Sequence, residues 1–210
     1  MIVLDMDQDS PEWVQARLGV PTASCFGKII TPTGKRVASK TGDDYRRELL
    51  DEWAQGQPGE SVQSDFMERG KLLEGNGIRE YEFHKDVDVQ RVGFCLLDDR
   101  SAGCSPDGLV GEQGGVEVKT PTRVTHLSYL LAGAIPSIYW PQVQGSLYIT
   151  GRDWWDWVSY NPDYPAAIVR AERDEPYIAT LAEYLADFLG TLEIERAMLL
   201  EMGVEPVKPI

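Results

Sequence analysis

Histidine and cysteine are scarce in this chain. Two histidines, His84 and His126, stand far apart with no ligand spacing, which excludes His-rich metal sites and most His-based triads. Three cysteines (Cys25, Cys95, Cys104) form no Cys-x-x-Cys pair. That argues against a zinc ribbon and a disulfide scaffold, and it fits a reducing cytosol. The start, Met1 to Asp7, has no basic segment and no long apolar core, so it does not read as a signal peptide. No apolar run reaches the roughly 18 residues of a membrane span. Basic residues are outnumbered too: 20 Lys and Arg against 34 Asp and Glu leave a formal charge of −14. A uniformly basic nucleic-acid binder is thereby excluded.

What remains is an ordinary globular composition, 42% hydrophobic and 26% charged over 210 residues. This suits a single domain, 1–210, with a loose tail from 203. Ser10-Pro11 opens a helix to about Leu18, with Ser as cap and Pro at the first helical position. A second short helix runs from Thr22 to about Ile30, followed by a mobile loop at 31–42. Helices are expected over 43–55 and 64–84, the latter with Phe66, Leu73, Ile78 and Tyr81 apolar. Extended segments follow at 87–90, 92–97, 101–104 and 115–119. Helices then cover 122–132 and 137–149, strands 153–160 and 166–171, and a last helix 174–202. Alternation in Trp154-Trp155-Asp156-Trp157 favours packing in the core or at a subunit interface over base stacking, and Trp13 and Trp53 are assigned to the core. The order predicts an α/β domain, a central mixed sheet flanked by helices.

The informative stretch is Ser105-Pro106-Asp107-Gly108 followed by Gly115-Val116-Glu117-Val118-Lys119. Residues two apart in a strand share a face, so Glu117 and Lys119 point one way while Val116 and Val118 face a core. A hairpin returning Asp107 beside Glu117 gathers two carboxylates and an ammonium. Hard oxygen ligands of this kind suit Mg²⁺, and a neighbouring Lys can hold an attacking water and offset charge on phosphate. Together they describe metal-assisted phosphodiester hydrolysis. An Asp-Gly turn and a Glu-x-Lys on an exposed strand face also arise for conformational reasons alone.

Pro-Asp, a short interval, then Glu-x-Lys resembles the PD-(D/E)xK nuclease signature, whose core is restriction-endonuclease-like. Around it, Arg17-Leu18-Gly19-Val20, Thr22-Ala23-Ser24, Gly70-Lys71 with Glu74, Cys104 to Leu109, Glu117 to Pro121 and Gln142-Val143-Gln144 stand in the order seen in the phage lambda exonuclease (YqaJ-type viral recombinase) family. The resemblance spans about residues 10–175; the 31–42 loop and the C-terminal helix match least. It implies Asp107, Glu117 and the Val118 carbonyl as metal ligands and Lys119 as the water-orienting group. It also implies Glu74 acting through metal-bound water, Gln142 organising the site, and Arg17 and Ser24 receiving a 5′ phosphate. Each has a plainer reading: Arg17 paired with Glu12, Ser24 as a helix cap, Glu74 solvated, Gln142 satisfying a backbone group.

The expectation is a Mg²⁺-dependent exonuclease using one or two ions, with Mn²⁺ as a substitute. It would digest double-stranded DNA ends 5′ to 3′ and leave 3′ tails for recombination. The family implies a ring-shaped homotrimer, a single-strand annealing partner, and a place in a bacterial or phage-infected cytoplasm. Rival readings are a structure- or site-specific endonuclease and a non-catalytic DNA-end adaptor. From Trp13 to Gly42 the charged residues are all basic (Arg17, Lys28, Lys35, Arg36, Lys40), while the segment after Ala171 is acidic. This asymmetry places Lys28, Lys35, Arg36 and Lys40 along a DNA channel.

Overall fold

A computed structural model describes residues 1–59 and 65–207, the side chains of 65–72 excepted. Ser10 Oγ accepts the Trp13 N–H, and Pro11 opens α1 (Pro11–Arg17). The chain reverses at Gly19, whose φ of 69° lies in the left-handed region. The expected helix after Thr22 is a 3-10 segment, Ala23–Lys28. Helix α2 (Ser39–Gln55) begins four residues before Asp43, inside the stretch read as loop, and Ile30 and Arg36 form a β-bridge ahead of it. Helix α3 is Asp65–Lys85. Phe66 and the Gly70-Lys71 pair lie outside the described side chains.

Two sheets follow. The smaller joins β1 (Ile2–Leu4), β3 (Phe94–Leu96) and β4 (Gly103–Cys104) in the order β1-β3-β4. Cys95 and Cys104 are buried and face each other across it, and all three cysteines are free thiols. The larger contains β2 (Val89–Gln90), β5 (Gly108–Val110), β6 (Gly114–Lys119), β7 (Trp154–Ser159) and β8 (Ala167–Glu172) in the order β2-β5-β6-β7-β8. Its pairs are antiparallel except β6 and β7, which run parallel from Gly114 opposite Trp154 to Lys119 opposite Ser159. A parallel pair needs a long crossover. Here it is α4 (Arg123–Ala132), a 3-10 turn (Ser137–Tyr139) and α5 (Trp140–Thr150).

Alternation in β7 assigns its side chains to the two faces of the larger sheet. Trp155 and Trp157, both 0% exposed, pack with Leu147 and Ile149 of α5 and with Leu181 and Leu185 of α6 (Glu175–Glu201). Gly115 makes room for them: a Cβ there would lie 2.2 Å from the Trp155 ring. On the other face Val116, Val118 and Val158 pack with Ile78 and Tyr81 of α3. The sheet is thus covered by helices on both sides, as an α/β pattern requires.

Two tryptophans depart from expectation. Trp13 and Trp53 are half-buried rather than core residues. In α6 the buried apolar positions end at Leu192, and Met198 is 50% exposed. In the tail, the Val207 N–H donates to the Ala54 carbonyl, and residues 208–210 lie outside the described residues. Among the described residues no helix is long and apolar enough to cross a membrane.

Candidate active site

The hairpin inferred from alternation forms. In β5 and β6, Gly108 stands opposite Val116, and continuing that register by one residue sets Asp107 opposite Glu117. The Val118 N–H donates to Asp107 Oδ2 at 2.5 Å, which locks that carboxylate against the neighbouring strand. Asp107 is 7% exposed and Glu117 5%. Two buried carboxylates at one spot repel each other unless a cation lies between them. Burial pushes the Asp107 carboxyl well above the usual carboxylate range, and the charges of Glu117 and Glu74 push the same way against Lys119 and the Val118 N–H.

Lys119 shares the face with Glu117, and its Nζ donates to Glu117 Oε1 at 2.5 Å. Burial alone would lower the lysine. The Glu117 and Asp107 carboxylates more than offset this and hold Lys119 above an ordinary lysine, so it is an ammonium at neutral pH. Gln142, on the first turns of α5, donates Nε2 to the same Glu117 Oε1 at 2.7 Å. Its neighbour Gln144 turns away and pins the β8–α6 junction through Glu172 O and the Asp174 N–H.

Glu74 of α3 completes the group. It pairs with Arg91 at 2.8 Å and lines a cleft with Asp5, Asp7, Gln8 and Asp9. Gln8 Nε2 also donates to the Pro106 carbonyl at 2.8 Å, so the N-terminal segment borders the Pro106-Asp107 turn.

Arg17 reaches the site from another direction. Its Nη1 donates to Ser105 Oγ at 2.7 Å, two residues before Asp107. The guanidinium lies 4.2 Å from the Trp13 ring centroid, and the Trp13 indole N–H donates to Gly93 O and Ser105 Oγ. Burial lowers the Arg17 pKa. Among the described residues no carboxylate forms an ion pair with it, so Glu12 is not its partner. The guanidinium hydrogen-bonds the Ser105 hydroxyl and rests on the Trp13 and Phe94 rings, with the Glu52 carboxylate acting on it from farther off, and its planar donor fork suits a phosphate. Arg17 and Thr22 line one cleft of about 400 Å³, and the exposed Ser24 joins its edge through Thr22 Oγ1, 3.2 Å from Ser24 Oγ. Ser105 stands in the motif read from the sequence but carries no assigned role there.

The basic residues assigned to a DNA channel are placed elsewhere. Lys28 pairs with Glu48 of α2, and Arg36 pairs with Asp187 of α6 at 2.5 Å. Both line a separate cleft, between α2 and α6. Lys35 and Lys40 are exposed.

The sequence matches the family model of the YqaJ-like viral recombinase domain over residues 12–153. No curated protein matches it. Among solved structures, the alkaline exonuclease LHK-Exo from Laribacter hongkongensis is 32% identical over 92% of this chain and 98% of its own, with a TM-score of 0.83. The same enzyme in complex with dAMP gives 31% identity at the same coverage and TM-score. A phage-related exonuclease from Haemophilus somnus shares the fold, with a TM-score of 0.65 at 14% identity over 86% of this chain and 96% of its own.

Proposed function

The chain belongs to the YqaJ-like viral recombinase family, and on that premise we propose that it is a metal-dependent exonuclease. It digests one strand of duplex DNA from a 5′ end and leaves a 3′ tail for recombination. The observation that carries this reading is the pairing of Asp107 against Glu117 with Lys119 on Glu117 Oε1. Two solved structures of a relative spanning nearly the whole chain support it: one describes an alkaline exonuclease, the other holds a nucleoside monophosphate.

The donor set suits a divalent cation. Asp107 and Glu117 are buried carboxylates whose mutual repulsion a cation relieves, and hard oxygens suit Mg²⁺, with Mn²⁺ as a substitute. Asp107, Glu117 and the Val118 carbonyl would hold one or two ions, with Glu74 acting through water. When bound, the cation neutralises phosphoryl charge and acidifies the attacking water. Lys119 orients the attacking oxygen and offsets charge on the phosphate. Gln142 fixes Glu117 Oε1 from above. Arg17, Ser105 and Ser24 receive the 5′ phosphate, with Trp13 backing the Arg17 plane. Lys35 and Lys40 extend the DNA path; Lys28 and Arg36 would join it only by leaving their carboxylate partners.

We further assign the family's assembly: a homotrimeric ring that hands the 3′ tail to an annealing protein in the cytoplasm of a bacterial or phage-infected cell. The test is linear duplex with 5′-phosphorylated ends, each strand labelled in turn, incubated with Mg²⁺ or with chelator. Mononucleotide release from 5′ ends only with metal is the expected result. Cutting of sealed circular duplex would instead establish an endonuclease, and end binding without any cleavage would establish an adaptor.

A further inference from the structure

Lys119 has a neighbour that the carboxylates do not account for. Its Nζ lies 5.3 Å from the centroid of the Tyr139 ring. That ring is itself held: it tilts against Trp157 at 5.6 Å, and Trp157 meets Tyr129 edge-on at 5.3 Å. Trp157 is fully buried, so the stack rests on the core. Tyr139 ends the 3-10 turn just ahead of α5, and Gln142 follows three residues later, about one helical turn away. The two residues therefore reach opposite ends of one ion pair. Gln142 holds the Glu117 oxygen that Lys119 also binds, and Tyr139 underlies the Lys119 ammonium.

We propose that Tyr139 is a positioning residue for Lys119, its ring face fixing the ammonium at the site without neutralising it. This rests on the nuclease reading given above. Lysine carries a charge on a long flexible stem. A carboxylate partner restrains that stem but competes for the charge that a phosphate needs. An aromatic face attracts the cation through its quadrupole and offers no proton acceptor in exchange. Glu117 and Tyr139 together restrain Lys119 from two sides, and one of the two leaves the charge available.

The test uses Tyr139→Leu, which removes the ring, and Tyr139→Phe, which keeps it. At saturating metal and DNA, Tyr139→Leu should lower kcat about tenfold or more, while the Kd for DNA ends stays within about twofold. Tyr139→Phe should stay near wild type. A Tyr139→Leu enzyme with unchanged kcat, or a Tyr139→Phe enzyme equally impaired, overturns the proposal. A second readout needs no activity and leaves Tyr139 in place. In wild-type protein labelled with ¹³C at the lysine ε-carbons, the Lys119 signal, assigned by its loss in Lys119→Arg, should be shifted upfield by the ring. An unshifted Lys119 signal overturns the proposal. Wild-type protein that digests no DNA while its Lys119 signal is shifted would sink the nuclease reading alone.

Discussion

Gly77 of α3 lies so close to Val118 of β6 that a Cβ on it would sit 2.6 Å from Val118 Cγ1. Val118 is the residue whose N–H holds Asp107, and Glu74 is three residues from Gly77 on the same helix. The contact therefore sets how near α3 brings Glu74 to the carboxylates. Gly77→Ala gains about 1 kcal/mol of helix propensity. Overpacking against a β-branched side chain costs about 1–3 kcal/mol. The net expectation is a lower melting temperature and a higher half-saturating Mg²⁺ concentration. A variant that melts higher with unchanged metal dependence would show that α3 yields without moving the site.

Tyr81 anchors the same helix one turn further on, donating its hydroxyl to Asp156 Oδ2 at 2.7 Å. Asp156 is fully buried and accepts two bonds from Arg170, each 2.8 Å, while Arg170 lies flat over Trp154. Losing a donor to this carboxylate, as in Tyr81→Phe, should cost about 1.5 kcal/mol, the low end for a hydrogen bond to a charged group. Arg170→Met leaves the carboxylate without its cation. Arg170 is 43% exposed and screened by water, so the cost should be about 2–3 kcal/mol, under the range for an enclosed pair. Urea unfolding of the two variants checks the order; equal losses would mean that water replaces the guanidinium.

Asp107 should destabilise the metal-free protein. Its folded-state pKa is raised, so its favourable contribution belongs to the protonated form. That contribution is present below the ordinary carboxylate range and is lost as pH rises through the raised value. Asp107→Asn cannot ionise and can still accept the Val118 N–H. Without metal it should melt higher than wild type at pH 8, by on the order of 1 kcal/mol or a few degrees, with the gap closing toward pH 4. Saturating Mg²⁺ should narrow the gap at pH 8. Wild type melting higher at pH 8 without metal would contradict the burial argument.

Lys119→Ala should fold and bind DNA ends but lose digestion by about 100-fold or more. Retained wild-type rates would remove Lys119 from the mechanism. Lys119→Arg keeps the charge but changes its geometry, and should recover little.

Arg17→Ala and Ser105→Ala should each shrink the preference for 5′-phosphorylated over 5′-hydroxyl ends, Arg17 the more, by about 1.5–3 kcal/mol for a charged hydrogen bond. Comparing the two substrates in single-turnover digestion separates this from a general loss. An equal fall on both would place Arg17 outside phosphate recognition.

Much of the central site was legible because it is local. Alternation alone sets Glu117 and Lys119 on one face, and a short hairpin turning at 111–113 returns the strand that Asp107 precedes alongside them. Distant partners were not. Arg17 and Ser105 meet across 88 positions, and Tyr139 faces Lys119 only because a crossover returns α5 to the sheet; no spacing rule encodes either. Strands β1 and β5, three residues each, are too short to show a period. Trp13 read as core because it is large and apolar, yet its indole N–H holds it at the edge, between Gly93 O and Ser105 Oγ. Trp155 and Trp157 were assigned correctly because strand alternation needs no knowledge of what lies above.

The parallel pairing of β6 and β7 also orders events during synthesis. When the ribosome has made the hairpin carrying Asp107, Glu117 and Lys119, strand β6 still lacks a neighbour on one side, and Tyr139, Gln142 and the tryptophans of β7 do not yet exist. Contacts between segments so far apart in sequence form late. On the nuclease reading, the proposed site is incomplete until Ser159 has left the exit tunnel, and a nascent chain should leave nearby DNA uncut until nearly all of it has been translated.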